Sequence, residues 1–364
     1  MKKLVVYFIL NIIYLITYRC KIKKNKITFI SYTSDKLVKD FKLISNRLKN
    51  EKEYEIVYIL TKYTNTLKGN IKYLFNCIKQ VYHVNTSNVV LLDYNNYVIS
   101  NFKKKEVKVV QLWHASGAIK KFGNDIKREY EIKNYDYVIS TSREWKNYYS
   151  TAFNVRKENV VITGIPSIDY LFSEEAMENY KKKMINKYPK IQGKKVILFA
   201  PTFRGDPIKD IRYERIDLDK IKRILGDKFV IIYKLHPSFG EKNISNDKDI
   251  INCNGESIKK LFSITDYLIT DYSSIAFEFS ILNKPMIFYV PDLERYNVER
   301  GIYFNYEEIM PGPICKNENE VINSIIKNEF NFKEIEDFKN KFFEHKDNNS
   351  TERTTNFIKQ IMNI

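Results

Sequence analysis

Four histidines occur in the chain, and two of them stand where a strand would end. His114 follows the apolar run Val109-Val110-Gln111-Leu112-Trp113 and precedes the turn-forming Ala115-Ser116-Gly117. His236 closes the run Val230 to Leu235, and Pro237 then stops the strand. An imidazole titrates near neutral pH, so such a side chain can take a proton from a hydroxyl or donate to an anionic oxygen. His83 lies in an apolar stretch and His345 in a charged tail, and both read as structural or solvent-exposed. The segment Thr270-Asp271-Tyr272-Ser273-Ser274 leaves one apolar run and enters another, Ile275-Ala276-Phe277-Glu278-Phe279. Strand, then Asp and Ser, then helix describes a capped helix start whose amides and hydroxyls can hold phosphate oxygens. Capping by Ser273 without any ligand is the plainer alternative. Ala200-Pro201-Thr202-Phe203-Arg204-Gly205 also leaves a strand and offers a guanidinium suited to phosphate. Asp217-Leu218-Asp219 has the spacing of a metal-binding pair, but it sits in a charged helical stretch far from any strand end, and no metal site is expected.

Ligands of open α/β sheets bind beyond the carboxyl ends of the strands, so the elements decide which of these residues can meet. From Lys26 onward short β-rich runs alternate with polar, helix-compatible stretches. Candidate strands in the first half are Ile27–Tyr32, Glu55–Leu60, Val89–Leu92, Tyr97–Ser100, Lys108–Trp113, Tyr137–Thr141 and Val160–Thr163, with helices such as Lys36–Asn50 and Arg143–Phe153 between. A lysine-rich helix, Glu174–Lys187, leads through Pro189 and Gly193 into a second series. Its strands are Lys195–Ala200, Phe229–Leu235, Ile250–Cys253, Tyr267–Thr270 and Met286–Val290. Strands this apolar are buried on both faces, which indicates parallel sheets covered by helices. The expected fold class is α/β, with two Rossmann-like domains facing across a cleft. The expected boundaries are a hydrophobic and basic segment over 1–25, a first α/β domain over 26–188, a second over 189–330 and a helical tail over 331–364, interrupted by the polar loop His345–Ser350.

A length of 364 residues accommodates two domains of ~150 residues, each large enough for its own core. The net charge of +17 suits an anionic partner: lipid, substrate or nucleic acid. Part of that charge follows from the abundance of Lys, Asn, Ile and Tyr, whose codons are all A/T-rich. Neither a zinc finger nor an aromatic-basic RNA-recognition stretch is present, so a nucleic-acid partner is not expected. Cys20, Cys77, Cys253 and Cys315 are widely separated, which gives neither a zinc site nor a disulfide framework and fits a reducing compartment. Near the amino terminus an apolar run, Leu4 to Tyr18, is followed by Arg19, Lys21, Lys23, Lys24 and Lys26. As a helix it reaches about 22 Å, short of the ~30 Å hydrocarbon core. No small-residue cleavage site follows it. Tyr7, Tyr14 and Tyr18 suit the headgroup boundary, and the cations suit an anionic leaflet. The preferred expectation is a helix seated in the cytoplasmic face of the membrane, peripheral or monotopic; a first buried helix of the domain is the alternative.

Several of these segments fall into an ordered set. Leu112-Trp113-His114 with Lys120-Lys121-Phe122-Gly123 comes first, then Ala200-Pro201-Thr202-Phe203-Arg204 and Lys234-Leu235-His236-Pro237. Thr270-Asp271-Tyr272-Ser273-Ser274, Arg300-Gly301-Ile302-Tyr303 and Pro311-Gly312-Pro313 complete it. Together, over roughly residues 100 to 330, they resemble the CDP-glycerol glycerophosphotransferases of teichoic-acid and capsule synthesis. The resemblance implies a glycosyltransferase-B-like fold, peripheral membrane location and a CDP-polyol donor, with no cofactor and no required nucleotide-bound metal. Two loops depart from the family pattern: Ala115 stands where Gly is usual after Trp-His, and Ser167 where Arg often follows Gly-Ile-Pro.

The implied reaction is attack by an acceptor hydroxyl on the distal phosphorus of a CDP-glycerol or other CDP-polyol donor, with CMP leaving. His114 is assigned as the base and His236 as a donor to pyrophosphate or CMP oxygens. Thr202, Arg204, Lys234, Asp271, Ser273, Ser274 and Arg300 complete the donor and phosphate site; Asp271 either orients one of these groups or only caps the helix, and Glu278 either reaches a ribose hydroxyl or packs at the core edge. Trp113, Ser116, Lys120 and Lys121 are assigned to the acceptor side. The expected acceptor is a lipid-linked or polymeric envelope chain at an anionic membrane surface. Absence of a long preceding region favours single addition or capsule modification. A nucleotide-sugar glycosyltransferase of the same architecture is the principal alternative, and a silent membrane-bound adaptor is a third.

Overall fold

The computed structural model describes residues 2–37, 39–51, 53–113, 115–205, 211–240 and 242–362. Among them the strands form two six-stranded sheets, every pairing parallel. The first contains β1 (Lys23–Ser31), β2 (Glu55–Leu60), β3 (Ser87–Leu92), β4 (Lys108–Gln111), β5 (Tyr137–Ser140) and β6 (Val160–Ile162). The second contains β7 (Lys195–Phe199), β8 (Phe229–Tyr233), β9 (Ile250–Asn252), β10 (Tyr267–Thr270), β11 (Met286–Tyr289) and β12 (Ile314–Cys315). Central strands such as β10 and β11 are buried along their whole length, which is why they carry uniform apolar runs rather than alternation.

The orders are β2-β1-β3-β4-β5-β6 and β12-β11-β10-β7-β8-β9. In each sheet the winding reverses once, between β1 and β3 in the first and between β7 and β10 in the second. At such a reversal the two crossover connections diverge and leave a crevice at the carboxyl ends of the strands. Both functional arguments below start from these two points.

Most expected strands and helices are present with ends shifted by one to four residues. Tyr97–Ser100, read as a strand, is instead the start of a helix, Tyr97–Phe102. The Asn96 side chain accepts the Ile99 N–H at 3.0 Å, and that cap outweighs the β-branched composition of the run. The strand β12 and the long helix Leu67–Thr86 had no separate sequence signal. The tail forms three helices, Glu318–Lys327, Phe332–Phe342 and Ser350–Met362.

The chain divides into two compact units along lines other than the sequence boundaries. The first comprises residues 1–116, 122–169 and 342–364, and the second 117–121 and 170–341. Helix Glu174–Lys187 belongs to the second unit, where Lys187 pairs with the buried Glu256. Helix Ser350–Met362 returns to the first unit, where Phe357 meets Tyr137 and the Thr354 and Thr163 hydroxyls are 2.8 Å apart. Asp169 accepts the Ser350 and Thr351 N–H groups that open that helix, which gives the loop containing Ser167 a structural task.

The amino-terminal helix, Lys2–Tyr18, packs on helix Leu67–Thr86. Leu10 is fully buried, and Tyr7 and Tyr14 lie against Phe102, while Tyr7 and Tyr18 remain exposed. Its other face leaves Leu4, Phe8, Leu15 and Ile16 each more than 60% exposed. Among the described residues no helix is long and apolar enough to cross a membrane.

Candidate functional site

The second sheet reverses between β7 and β10, and the segments leaving those strands are Ala200–Gly205 and Asp271–Ser274. Asp271 ties them together: its Oδ1 accepts the Thr202 N–H at 2.8 Å and its Oδ2 accepts from Arg204 Nη1 at 2.7 Å. Arg204 is 2% exposed and forks onto Asp292, with Nε to Oδ2 at 2.8 Å and Nη2 to Oδ1 at 3.1 Å. Its Nη1 also donates to the Thr202 carbonyl at 3.0 Å. The guanidinium lies 4.8 Å from the Tyr272 ring centroid and 4.7 Å from that of Tyr296. Burial by itself disfavours the charge on Arg204, but the two carboxylates more than offset it and hold the arginine ionised. Burial likewise pushes Asp292 upward, and the Arg204 and Tyr272 hydrogen bonds bring its carboxyl below the ordinary value. The expectation that Arg204 holds phosphate directly meets a guanidinium with four of its five N–H groups bonded to the framework. Arg204 positions the loop, and Asp292, three residues beyond β11, is the partner that sequence reasoning missed.

What the framework holds forward is the aromatic ring of Phe203. The His236 ring lies 4.8 Å from it between centroids, the Lys120 ammonium 5.5 Å away and the Arg300 guanidinium 5.8 Å away. Arg300 also donates to the Gly205 carbonyl. Burial lowers the Lys120 ammonium; Asp271 draws it partly back, Arg300 and Arg204 oppose it, and the result is about 8. Burial, helped by Lys120 and Lys234, pushes the His236 imidazole down as well. A neutral imidazole with flanking cations suits a polyphosphate whose charge the cations balance. Beside it, Thr202 Oγ1 is buried and has no hydrogen-bond partner in the structure, an unsatisfied hydroxyl at the mouth of the strands.

Lys120 and Lys121 were assigned to the acceptor side of the first domain. They lie in the second unit instead: Lys120 bridges Ile302, the Lys121 N–H donates to the Gly301 carbonyl at 3.0 Å, and the Tyr303 N–H donates to Ile119 O at 3.0 Å. Gly301 has φ +72°, a backbone conformation that a side chain would strain, so this crossing favours glycine.

The other residues divide. Lys234 is half-buried and its ammonium donates to the carbonyls of Asn254 and Glu256, which fastens the loop after β9. Ser274 stands at the start of helix Ile275–Ser280 without capping it, and Ser273 Oγ accepts the Ile275 N–H at a long 3.5 Å. Six residues make a weak dipole, so these two hydroxyls rather than the helix are what the segment offers a ligand. Glu278 is half-buried and interacts electrostatically with Tyr170. In the first unit Trp113 is buried with φ +60°, stacked on Phe122 at 4.7 Å. A left-handed tryptophan is strained, on the order of 1–3 kcal/mol, and the aromatic cluster holds it there. Ser116 is buried, and its carbonyl accepts the Thr141 hydroxyl. His114 lies outside the described residues. Asp217 caps helix Leu218–Leu225 by accepting the Lys220 N–H, and Asp219 accepts the Ser245 hydroxyl at 2.6 Å.

A family profile described as CDP-glycerol:poly(glycerophosphate) glycerophosphotransferase matches residues 12–360. The teichoic acid glycerol-phosphate primase of Bacillus subtilis is 35% identical over 305 residues, 78% of this chain and 77% of the primase. The teichoic acid poly(ribitol-phosphate) polymerase of Bacillus spizizenii is 33% identical over 358 residues, 93% of this chain. The chain spans only about half (56%) of that polymerase's length. The structure of the wall teichoic acid polymerase TagF superposes with a TM-score of 0.76 at 22% identity, covering 99% of this chain and 95% of that one, and so shares the fold. With the motifs, the two parallel sheets and the match across nearly its full length, the chain belongs to the CDP-glycerol:poly(glycerophosphate) glycerophosphotransferase family of enzymes.

Proposed function

We propose that this protein transfers a polyol-phosphate unit, glycerol phosphate or a related polyol phosphate, from its CDP-activated form to a hydroxyl of a membrane-linked envelope polymer or its lipid-linked precursor. The observation that carries the reading is the cluster of Lys120, His236 and Arg300 around Phe203, set on the Arg204–Asp271–Asp292 framework at the reversal of the second sheet. In this reading the donor pyrophosphate lies against those groups, with the Thr202, Ser273 and Ser274 hydroxyls within the same mouth. The acceptor oxygen bonds to the distal phosphorus, the bond from that phosphorus to the bridging oxygen breaks, and CMP leaves with the electron pair. His114, on sequence grounds, takes the acceptor's proton. Fixed cations near the developing charge are the main contribution a protein can make to such a transfer. Glu278 remains the candidate for a ribose hydroxyl.

We place the enzyme at the cytoplasmic face of the membrane. The exposed face of helix Lys2–Tyr18, carrying Leu4, Phe8, Leu15 and Ile16, would lie in the interface, with the exposed Arg19, Lys21 and Lys24 toward anionic headgroups. Relatives named for glycerol phosphate and for ribitol phosphate support the polyol class without choosing within it. Incubating the purified protein with CDP-glycerol, CDP-ribitol and UDP-sugars tests the reading. Release of CMP from a CDP-polyol is expected; release of UDP alone would make this a nucleotide-sugar glycosyltransferase, and release of neither would make it a silent adaptor.

A further inference from the structure

The reversal of the first sheet, between β1 and β3, has a cavity of its own, of about 460 Å³. That volume falls within the ~300–1,000 Å³ of small-molecule sites. Tyr32 comes directly after β1, Tyr63 follows β2 and Asn95 follows β3, so the wall is built from the carboxyl ends of three adjacent strands. Tyr73 and Tyr130 add two more phenol rings, and Arg128 enters from the segment before β5. The rings brace one another: Tyr32 meets Tyr94 at 4.8 Å and Tyr63 meets Tyr73 at 5.5 Å, both edge to face.

Its polar groups point to a ligand. Asn95 is 5% exposed, yet its Oδ1 has no hydrogen-bond partner, and neither does Arg128 Nε. Two more buried oxygens at the same strand ends share that condition, Thr61 Oγ1 after β2 and Asp93 Oδ1 after β3. The other Asp93 oxygen accepts from the Ser31 hydroxyl at 2.8 Å, and burial pushes the carboxyl up to about 6. A buried polar atom without a partner costs about 1–3 kcal/mol, and native folds seldom gather several at one place without purpose. Of the two that belong to lining residues, Asn95 Oδ1 calls for a hydroxyl donor, and Arg128 Nε, a guanidinium N–H, calls for an anion. Four phenol faces call for a ring with an apolar face.

We propose that this cavity is a second binding site, separate from the cation cluster of the second unit, and that it takes a saccharide phosphate. The ring lies against the tyrosines, one of its hydroxyls donates to Asn95, and its phosphate accepts from Arg128. The site stands on this geometry alone; its use as the acceptor's seat rests on the transfer reaction proposed above. A free sugar phosphate and the headgroup of a lipid-linked sugar carry the same chemistry.

Calorimetric titration of the full-length protein with glucose 1-phosphate, glucose and inorganic phosphate tests it. Glucose 1-phosphate should bind most tightly. Arg128→Gln should weaken it by about tenfold or more, the usual cost of losing a charged hydrogen bond, and leave glucose unaffected. Tyr63→Ala, at a more exposed position, should weaken both sugars. Circular dichroism checks that each variant is folded. The dodecyl phosphodiester of glucose separates the sources: tighter binding than glucose 1-phosphate assigns a lipid-borne ligand, and equal binding a free one. Binding of inorganic phosphate as tight as that of the sugar phosphate, absence of binding by every probe, or affinities unchanged in both folded variants would overturn the proposal. CDP titrated into the same samples reports the other unit, so failure to bind CDP counts against the transferase reading and not against this cavity.

Discussion

Replacing Arg204 by Met removes the buried cation shared by two carboxylates that are nearly inaccessible to water, leaving Asp271 without that ion pair and Asp292 with the exposed Arg295, 3.5 Å away. The side chains of Arg204, Asp271 and Asp292 are 2%, 3% and 6% exposed. Breaking a buried pair by deleting one partner costs about 3–5 kcal/mol, because the remaining charge is left unmatched. A domain of this size loses ~2–4 °C of melting temperature per kcal/mol. The transition of the second unit should therefore fall by about 6–20 °C. The pH dependence has a definite sign. Asp292 is held below its unfolded value, near 3.9, so the stabilisation from Arg204 is complete above that value and fades as pH falls through the folded one. In the variant the buried carboxylates take up protons more readily, so its deficit should be largest at pH 7–8 and shrink towards pH 5. Scanning calorimetry of both proteins across that range reads the difference directly. A variant melting within about 2 °C of the parent, with its donor KM raised, would refute the framework role and restore Arg204 as a phosphate ligand.

The other expectations concern the cluster, the histidines and the helix. Lys120, with its ammonium near 8, should bind the donor less well as pH rises through that value, and Lys120→Arg should flatten the rise in KM. His114→Ala and His236→Ala should each lower turnover by ~100-fold or more, whereas His83→Ala and His345→Ala in folded protein should leave it nearly unchanged; a His114→Ala enzyme of parental rate removes that base from the mechanism. Phe8→Asp with Leu15→Asp, both exposed, should reduce sedimentation with anionic vesicles and leave the melting temperature unaltered. Salt at 1 M, where the Debye length is ~3 Å, should release part of the parent protein from the same vesicles; binding indifferent to both changes refutes the interfacial helix.

The alternation of apolar runs and helix-compatible stretches made the α/β architecture legible, and the strand-end rule brought Thr202, Arg204, His236 and Asp271 to the same mouth. Three things were not legible, for physical reasons. Which arginine binds ligand and which binds the fold depends on carboxylates distant in sequence: Asp292 lies 88 positions from Arg204. The only signal was an acidic residue shortly past an apolar run, Val290-Pro291-Asp292, three residues beyond β11 where Asp271 directly follows β10. Likewise the path of Gly117–Lys121 is set by backbone pairing with Gly301–Tyr303, which leaves no mark in side-chain type. The cavity at β1 and β3 escaped because tyrosines are abundant in this chain and single ones carry no message. Asn96 shows the reverse case, where one capping side chain decided helix against strand.

The central claim is that the distal phosphorus of the donor moves with the polyol. CDP-glycerol labelled with ³²P at that phosphorus, incubated with the full-length protein and a hydroxyl-bearing lipid-linked acceptor, tests it most directly. The expected result is label in a new phosphodiester on the acceptor and unlabelled CMP in solution. Label retained on a nucleoside diphosphate, with only the carbon skeleton transferred, would mean that a carbon–oxygen bond had broken instead, and would contradict the account.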